Sequence, residues 1–178
     1  DTTVNFGGTA TISSGGVASA TTVSSGGVLM AEAGGIVSGT SATQGGAVSI
    51  NGTADTLFIL SGGQVSVASG GVTSDTLIEG FQNTTKGPIG AFEIVSGGGL
   101  AEATSVGNGG LLNLFGGSAS FVTILSGGEM DVGAAAVADF VVVSGGFFNS
   151  NGGEPNAFVN ISAGGTVSNL SATGATDI

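Results

Sequence analysis

The sequence contains no cysteine, no histidine, no arginine, no tryptophan and no tyrosine, and it has one lysine. Without cysteine there is neither a disulfide framework nor a thiolate metal site. Without histidine or arginine the common proton shuttle and the usual anion clamp are both missing. One lysine against twelve acids gives a net charge of -11, so phosphate neutralisation on nucleic acid is excluded, and so is attraction to anionic headgroups. No run of about 18 apolar residues is present to cross a membrane as a helix, and no direct membrane insertion of this segment is expected.

Charged residues make up only 7% of the chain, yet hydrophobic residues reach 40%, and 37 of the 178 residues are glycine. A disordered polar tract would lack the Val, Ile, Leu and Phe found here, so the composition points to an ordered, glycine-rich β protein. Seven copies of Ser-Gly-Gly recur, most of them after a Val, Ile or Leu. Glycine pairs begin at Gly7, Gly15, Gly26, Gly34 and Gly45, in steps of 8 and 11 that add to a period of 19. The later pairs, from Gly109 to Gly164, keep a similar rhythm.

A period of 17 to 19 residues built of Gly, Ser, Thr and Val is too short for two helices and too poor in helix formers for one. Alternating apolar residues follow each pair, as in Val48 and Ile50, Val65 and Val67, Leu112 and Leu114, Met130 and Val132. A second set stands three residues before the next pair: Val23, Ile59, Val106, Ile124, Val142 and Ile161. Alternation places each set on one strand face, and both sets are expected to fill one core. Glycine supplies the corners, where positive φ excludes most side chains. The expected fold is all-β: a single-stranded parallel β-helix (β-solenoid) of about nine coils of 17–19 residues, one domain over 1–178, right-handed by the default for parallel connections.

One coil, Glu79 to Asn108, is too long, and its excess produces an irregular insertion around 80–96. Phe81, Asn83, Thr84, Thr85, Lys86 and Pro88 in this stretch form the candidate interaction loop, because insertions in solenoids gather on binding faces. The bland alternative is a corner that simply bulges. Asp55, Asp75 and Asp139 are aligned as a candidate acidic column, either solvated edge acids or a weak cation site. Thr21, Thr40, Thr56, Thr76 and Thr104 are expected to form a ladder with wet hydroxyls, replaced by Val122, Phe140 and Phe158 toward the C-terminus, with the two phenylalanines stacked in the core. Asn51, Asn83, Asn160 and Asn169 lie in N-x-Ser/Thr sequons that a chain rich in Ser and Thr produces by chance. Glu129 and Asp131 share one exposed strand face, but no basic group accompanies them for acid-base work. No catalytic residue, metal ligand or cofactor is expected.

The recurrent [V/I]-x-S-G-G, the unit GGVASATTVSSGG (15–27) and the 19-residue period resemble the passenger repeats of the AIDA-type autotransporter adhesins over nearly all of residues 7–178, apart from the long coil. The resemblance implies a right-handed parallel β-helix on the surface of a Gram-negative bacterium, adhesive toward a host or neighbouring cell or toward itself (homophilic), with glycosylation of Ser or Thr. The alternatives are a filament or surface layer built by end-to-end stacking and, less favoured, a polysaccharide-processing β-helix enzyme.

Overall fold

A computed structural model describes residues 1–81, 90–144 and 156–173. Its eighteen strands form two parallel sheets and no helix among the described residues. Each coil contributes a short strand of four to six residues to one sheet and a longer one, typically seven or eight, to the other, as with Gln64–Val67 followed by Val72–Glu79. Strands pair only with their counterparts in the coils before and after, so the molecule is a parallel β-solenoid. The short-strand sheet has eight rungs, making seven turns from first to last. The glycine pairs predicted about nine.

The difference arises at a second long coil. Glu129 pairs directly with Phe158, 29 residues on, so no rung of the short-strand sheet lies between them. The first long coil behaves alike, with Gln64 paired to Phe92, 28 residues on. Ala91–Ser96 is a regular rung, which confines the first excess to the stretch between Glu79 and Ala91. In both cases the chain leaves at the end of a long strand, at Glu79 and at Ser144, and returns at the start of a short one. The two excess segments therefore depart from the same corner, three rungs apart.

The paired glycines do two different jobs. In Thr43–Gly46 the Gly46 N–H donates to the Thr43 carbonyl at 2.9 Å, closing a tight turn whose third residue, Gly45, has φ +84°. That φ suits glycine because no Cβ crowds the backbone. Gly46 is constrained by space instead: a Cβ there would run into the Val23 carbonyl of the coil below. Its own carbonyl accepts the Gln64 N–H of the coil above at 3.0 Å.

Inside, large and small columns face one another. Leu29, Val48, Val65, Leu112 and Met130 stack along the short strands. The facing column of the long strands holds Val37, Ala54, Ala101, Ala119 and Ala138. Small residues opposite large ones keep the interior at one width and at close-packed density, and each fully buried Leu adds roughly 2 kcal/mol. Val48, Ile50, Val65, Val67, Leu112, Leu114, Met130 and Val132 all point inward, as the alternation predicts. Val142 does not. Ile124 pairs with Val143, because the corner at Gly133–Ala136 carries one more residue than its neighbour, so Val142 faces solvent at 38% exposure. Ile161 belongs to a short strand and is half exposed as part of the last described rung.

The two glycine roles predict different penalties. Gly45→Ala should cost about 1 kcal/mol by backbone strain alone, whereas Gly46→Ala should cost about 3 kcal/mol because it pushes two rungs apart. Urea unfolding of the two variants checks this, and equal midpoints would refute the division.

Candidate functional site

Each long strand bends at one residue held in the left-handed region. The set is Ala20, Gly39, Thr56, Asp75, Ala103, Phe121, Phe140 and Asn169, with φ between +50° and +60°. Pairing on either side is in register, so these residues form one column along the rod. The bend turns the strand without breaking its ladder. It also moves every later residue by one place relative to strict alternation.

The register between coils corrects the predicted acidic column. Asp55 pairs with Ser74 and not with Asp75, which sits in the left-handed column opposite Thr56. Following the register outward gives Ser19, Ser38, Asp55, Ser74, Glu102, Ser120, Asp139 and Ser168. Asp55 and Asp139 do share a column, but from Asp55 onward acids alternate with serines. Carboxylates are thereby kept two rungs apart, roughly 10 Å, where their repulsion in water is below 1 kcal/mol. The Ser74 hydroxyl donates to Asp55 Oδ1 at 3.3 Å. Glu102 was not singled out from sequence; the register alone exposes it.

The threonine ladder is also inverted. Thr21, Thr40, Thr76 and Thr104 directly follow the bend and point inward, all but fully buried, with Leu57 taking the place expected for Thr56. Their Oγ1 atoms have no protein partner. Val122, Val141 and Leu170 continue this column, not Phe140 or Phe158. Phe140 and Phe158 are exposed at 48% and 52%. Phe140 stacks face to face on Phe121, with ring centroids 5.1 Å apart and planes 7° from parallel. A bulky side chain at positive φ costs on the order of 1–3 kcal/mol, so this aromatic pair is held against local strain.

In the candidate loop, Phe81 is described and stands 73% exposed. Asn83, Thr84, Thr85, Lys86 and Pro88 lie outside the described residues, as does the sequon at Asn83. Two other sequon asparagines serve the surface network. Asn160 Nδ2 donates to Glu129 Oε1 at 2.7 Å and to Asp131 Oδ1 at 2.8 Å, and Asn169 Nδ2 donates to Asp139 Oδ1 at 2.7 Å. Glu129 and Asp131 flank the buried Met130 as expected, but an amide ties them together. Among the described residues no group of three or more potential metal ligands forms.

A buried acid is the feature that sequence reading missed. Glu93 occupies an inward position between Val65 and Leu112 and has no exposed surface. Across the core, where both adjacent coils have Ala, the Thr73 hydroxyl donates to its Oε1 at 2.7 Å; Oε2 has no protein partner. Removal from water raises its pKa to about 7, with the Thr73 hydrogen bond opposing the rise. The only signal in the sequence is a Glu at the second place of the rung, where Val65 and Leu112 stand in the neighbours.

No family model matches the chain, and no curated protein matches it. Six solved chains do match in structure. One is the crystal structure of a TibA fragment, residues 55–350, hyper-glycosylated by TibC, with a TM-score of 0.54 and 25% identity. The chain is similar to that TibA fragment. The match covers 96% of this chain and 77% of the other, which extends the likeness over the whole stack and not over one coil. It is consistent with AIDA-type, adhesin-like repeats.

Because Glu93 binds its proton more tightly when folded, the folded state carries more protons between pH 4.5 and about 7. Stability should therefore fall as pH rises through that window, by about 3 kcal/mol for a shift of this size. Glu93→Gln should remove this slope, measured as the difference between wild-type and variant urea midpoints at pH 4.5 and pH 8. An unchanged slope in the variant would show that Glu93 is not the source.

Proposed function

We propose that this chain is a non-catalytic passenger segment of an autotransporter-type adhesin, displayed at the surface of a Gram-negative bacterium. The observation that carries this reading is the structural likeness to the TibA fragment along nearly the whole solenoid. The segment acts through its long sides, or through the excess segment between Glu79 and Ala91, on a host surface, a neighbouring cell or a second copy of itself. The TibA fragment is described as hyper-glycosylated. The serines Ser19, Ser38, Ser74, Ser120 and Ser168 of the outward column, all on a single face, offer comparable acceptors here. An intact-mass measurement on material from the native cell tests that element, with sugar increments expected and an unmodified mass counting against it.

Surface display supplies the main test. A net charge of -11 opposes approach between copies at low ionic strength. Cells displaying the segment should clump, or adhere to a second cell layer, more strongly as salt is raised from 10 to 150 mM, where the screening length falls from about 30 Å to about 8 Å. Absence of clumping and adhesion at every salt concentration would overturn the adhesin reading.

A second reading is a filament of stacked solenoids, in which the parallel ladder that joins coil to coil continues from one copy to the next. Electron microscopy of the dilute protein distinguishes the two: fibres of fixed width for the filament, separate rods for the adhesin.

A further inference from the structure

The left-handed column contains a gap beside its aromatic pair. Phe121 and Phe140 are 55% and 48% exposed, and each combines an exposed ring with a backbone conformation that disfavours it. One face of Phe121 is covered by Phe140. Its other face is directed to the preceding rung, where the column residue is Ala103, whose methyl fills little of the space. One rung further on, the same column presents the exposed carboxylate of Asp75. Exposed Glu102 adjoins Ala103 on the outer face. The notch is thus bounded by a ring on one side and an acid on the other, with a second acid at its edge. The bounding rungs stand about 10 Å apart, which leaves room for one flat group stacked at the same spacing as the phenylalanines.

We infer that the Ala103 notch between Phe121 and Asp75 docks an arginine side chain of a basic partner protein. A guanidinium is flat, stacks on aromatic faces and pairs with carboxylates through its N–H donors, whereas an ammonium matches only the charge. Ala103 leaves the slot that such a plane would fill, continuing the stack of Phe140 and Phe121 by one layer. Charge decides against a second copy as occupant: the chain has one lysine, no arginine and a net charge of -11. This deepens the adhesin reading by naming the partner's chemistry, and it rests on that reading only for where the partner is met. The test uses purified protein, so its failure leaves the cell-clumping result standing, and the reverse also holds.

The probe is a short capped peptide of alternating glycine and arginine, titrated into the protein at 20 mM salt and followed by NMR. Its control is the same peptide with citrulline, which keeps the flat shape and loses the charge. Saturable shifts centred on the Phe121 ring, the Ala103 methyl and Glu102 are expected, with the citrulline peptide at least tenfold weaker. Phe121→Leu should weaken binding about fivefold, the loss of one exposed cation–π contact. Ala103→Phe, which closes the notch, should reduce it at least as much. Asp75→Asn with Glu102→Gln changes only exposed side chains and should also weaken binding, so the inference remains testable if Ala103→Phe fails to fold. Equal binding of the two peptides, unchanged binding in the Asp75/Glu102 double variant, or shifts spread evenly over all the acids would overturn it. So would shifts at the notch that grow with protein concentration alone, the signature of a second copy.

Discussion

Parallel hydrogen bonding from one coil to the next is the constraint on which the whole molecule depends. Each strand finds its partners only in the coils above and below, so every coil must bring the chain back to the same register. A one-residue slip would send an entire inward set to solvent. Glycine pairs close the tight corners, and a residue held at positive φ bends each long strand while its ladder continues. Variation is accommodated where it does not disturb this return. Both long coils place their excess between the end of a long strand and the start of a short one, and rung pairing resumes immediately afterward.

The same constraint makes columns the chemical units of the surface and the interior. A residue type repeated at one position becomes a stripe: alanine opposite leucine in the core, serine alternating with acid outside. Departures from a stripe are therefore informative. Glu93 interrupts an apolar column, with Thr73 opposite it where alanine stands in the two adjacent coils, and that pairing couples one coil's stability to pH. Phe121 and Phe140 interrupt a column otherwise occupied by small or polar residues, at a cost in strain and exposure that the fold itself does not require. Both departures lie within the middle and later coils, where the chain ceases to be a regular array.

Much of the fold was legible because it is periodic. The glycine spacing defined the coil, the short-strand alternation identified Val65, Val67, Leu112 and Leu114 as core, and the first long coil declared itself by length. The left-handed residue was hidden because no one amino acid marks it: Ala, Gly, Thr, Asp, Phe and Asn all occupy it in different coils. Matching the Asp-Thr-Leu runs at 55–57 and 75–77, which lie one residue out of register, put Asp75 under Asp55 and Thr56 in a column that belongs to Leu57; strict alternation, blind to the bend, put Phe140 in the core. The acidic column was thus half legible, in Asp55 and Asp139, and Glu102 joined it only through register. Glu93 was invisible because a lone acid in a strand looks like any outward residue until its neighbours in the stack are known.

Register is accordingly the central claim, and backbone NOE contacts between rungs measure it most directly. The account predicts contacts joining Ser74 to Asp55 on one side and to Glu102 on the other, with Asp75 facing Thr56 and Ala103. Contacts that instead join Asp75 to Asp55, with Thr76 opposite Thr56, would mean a register one residue away from this one, and would contradict the account.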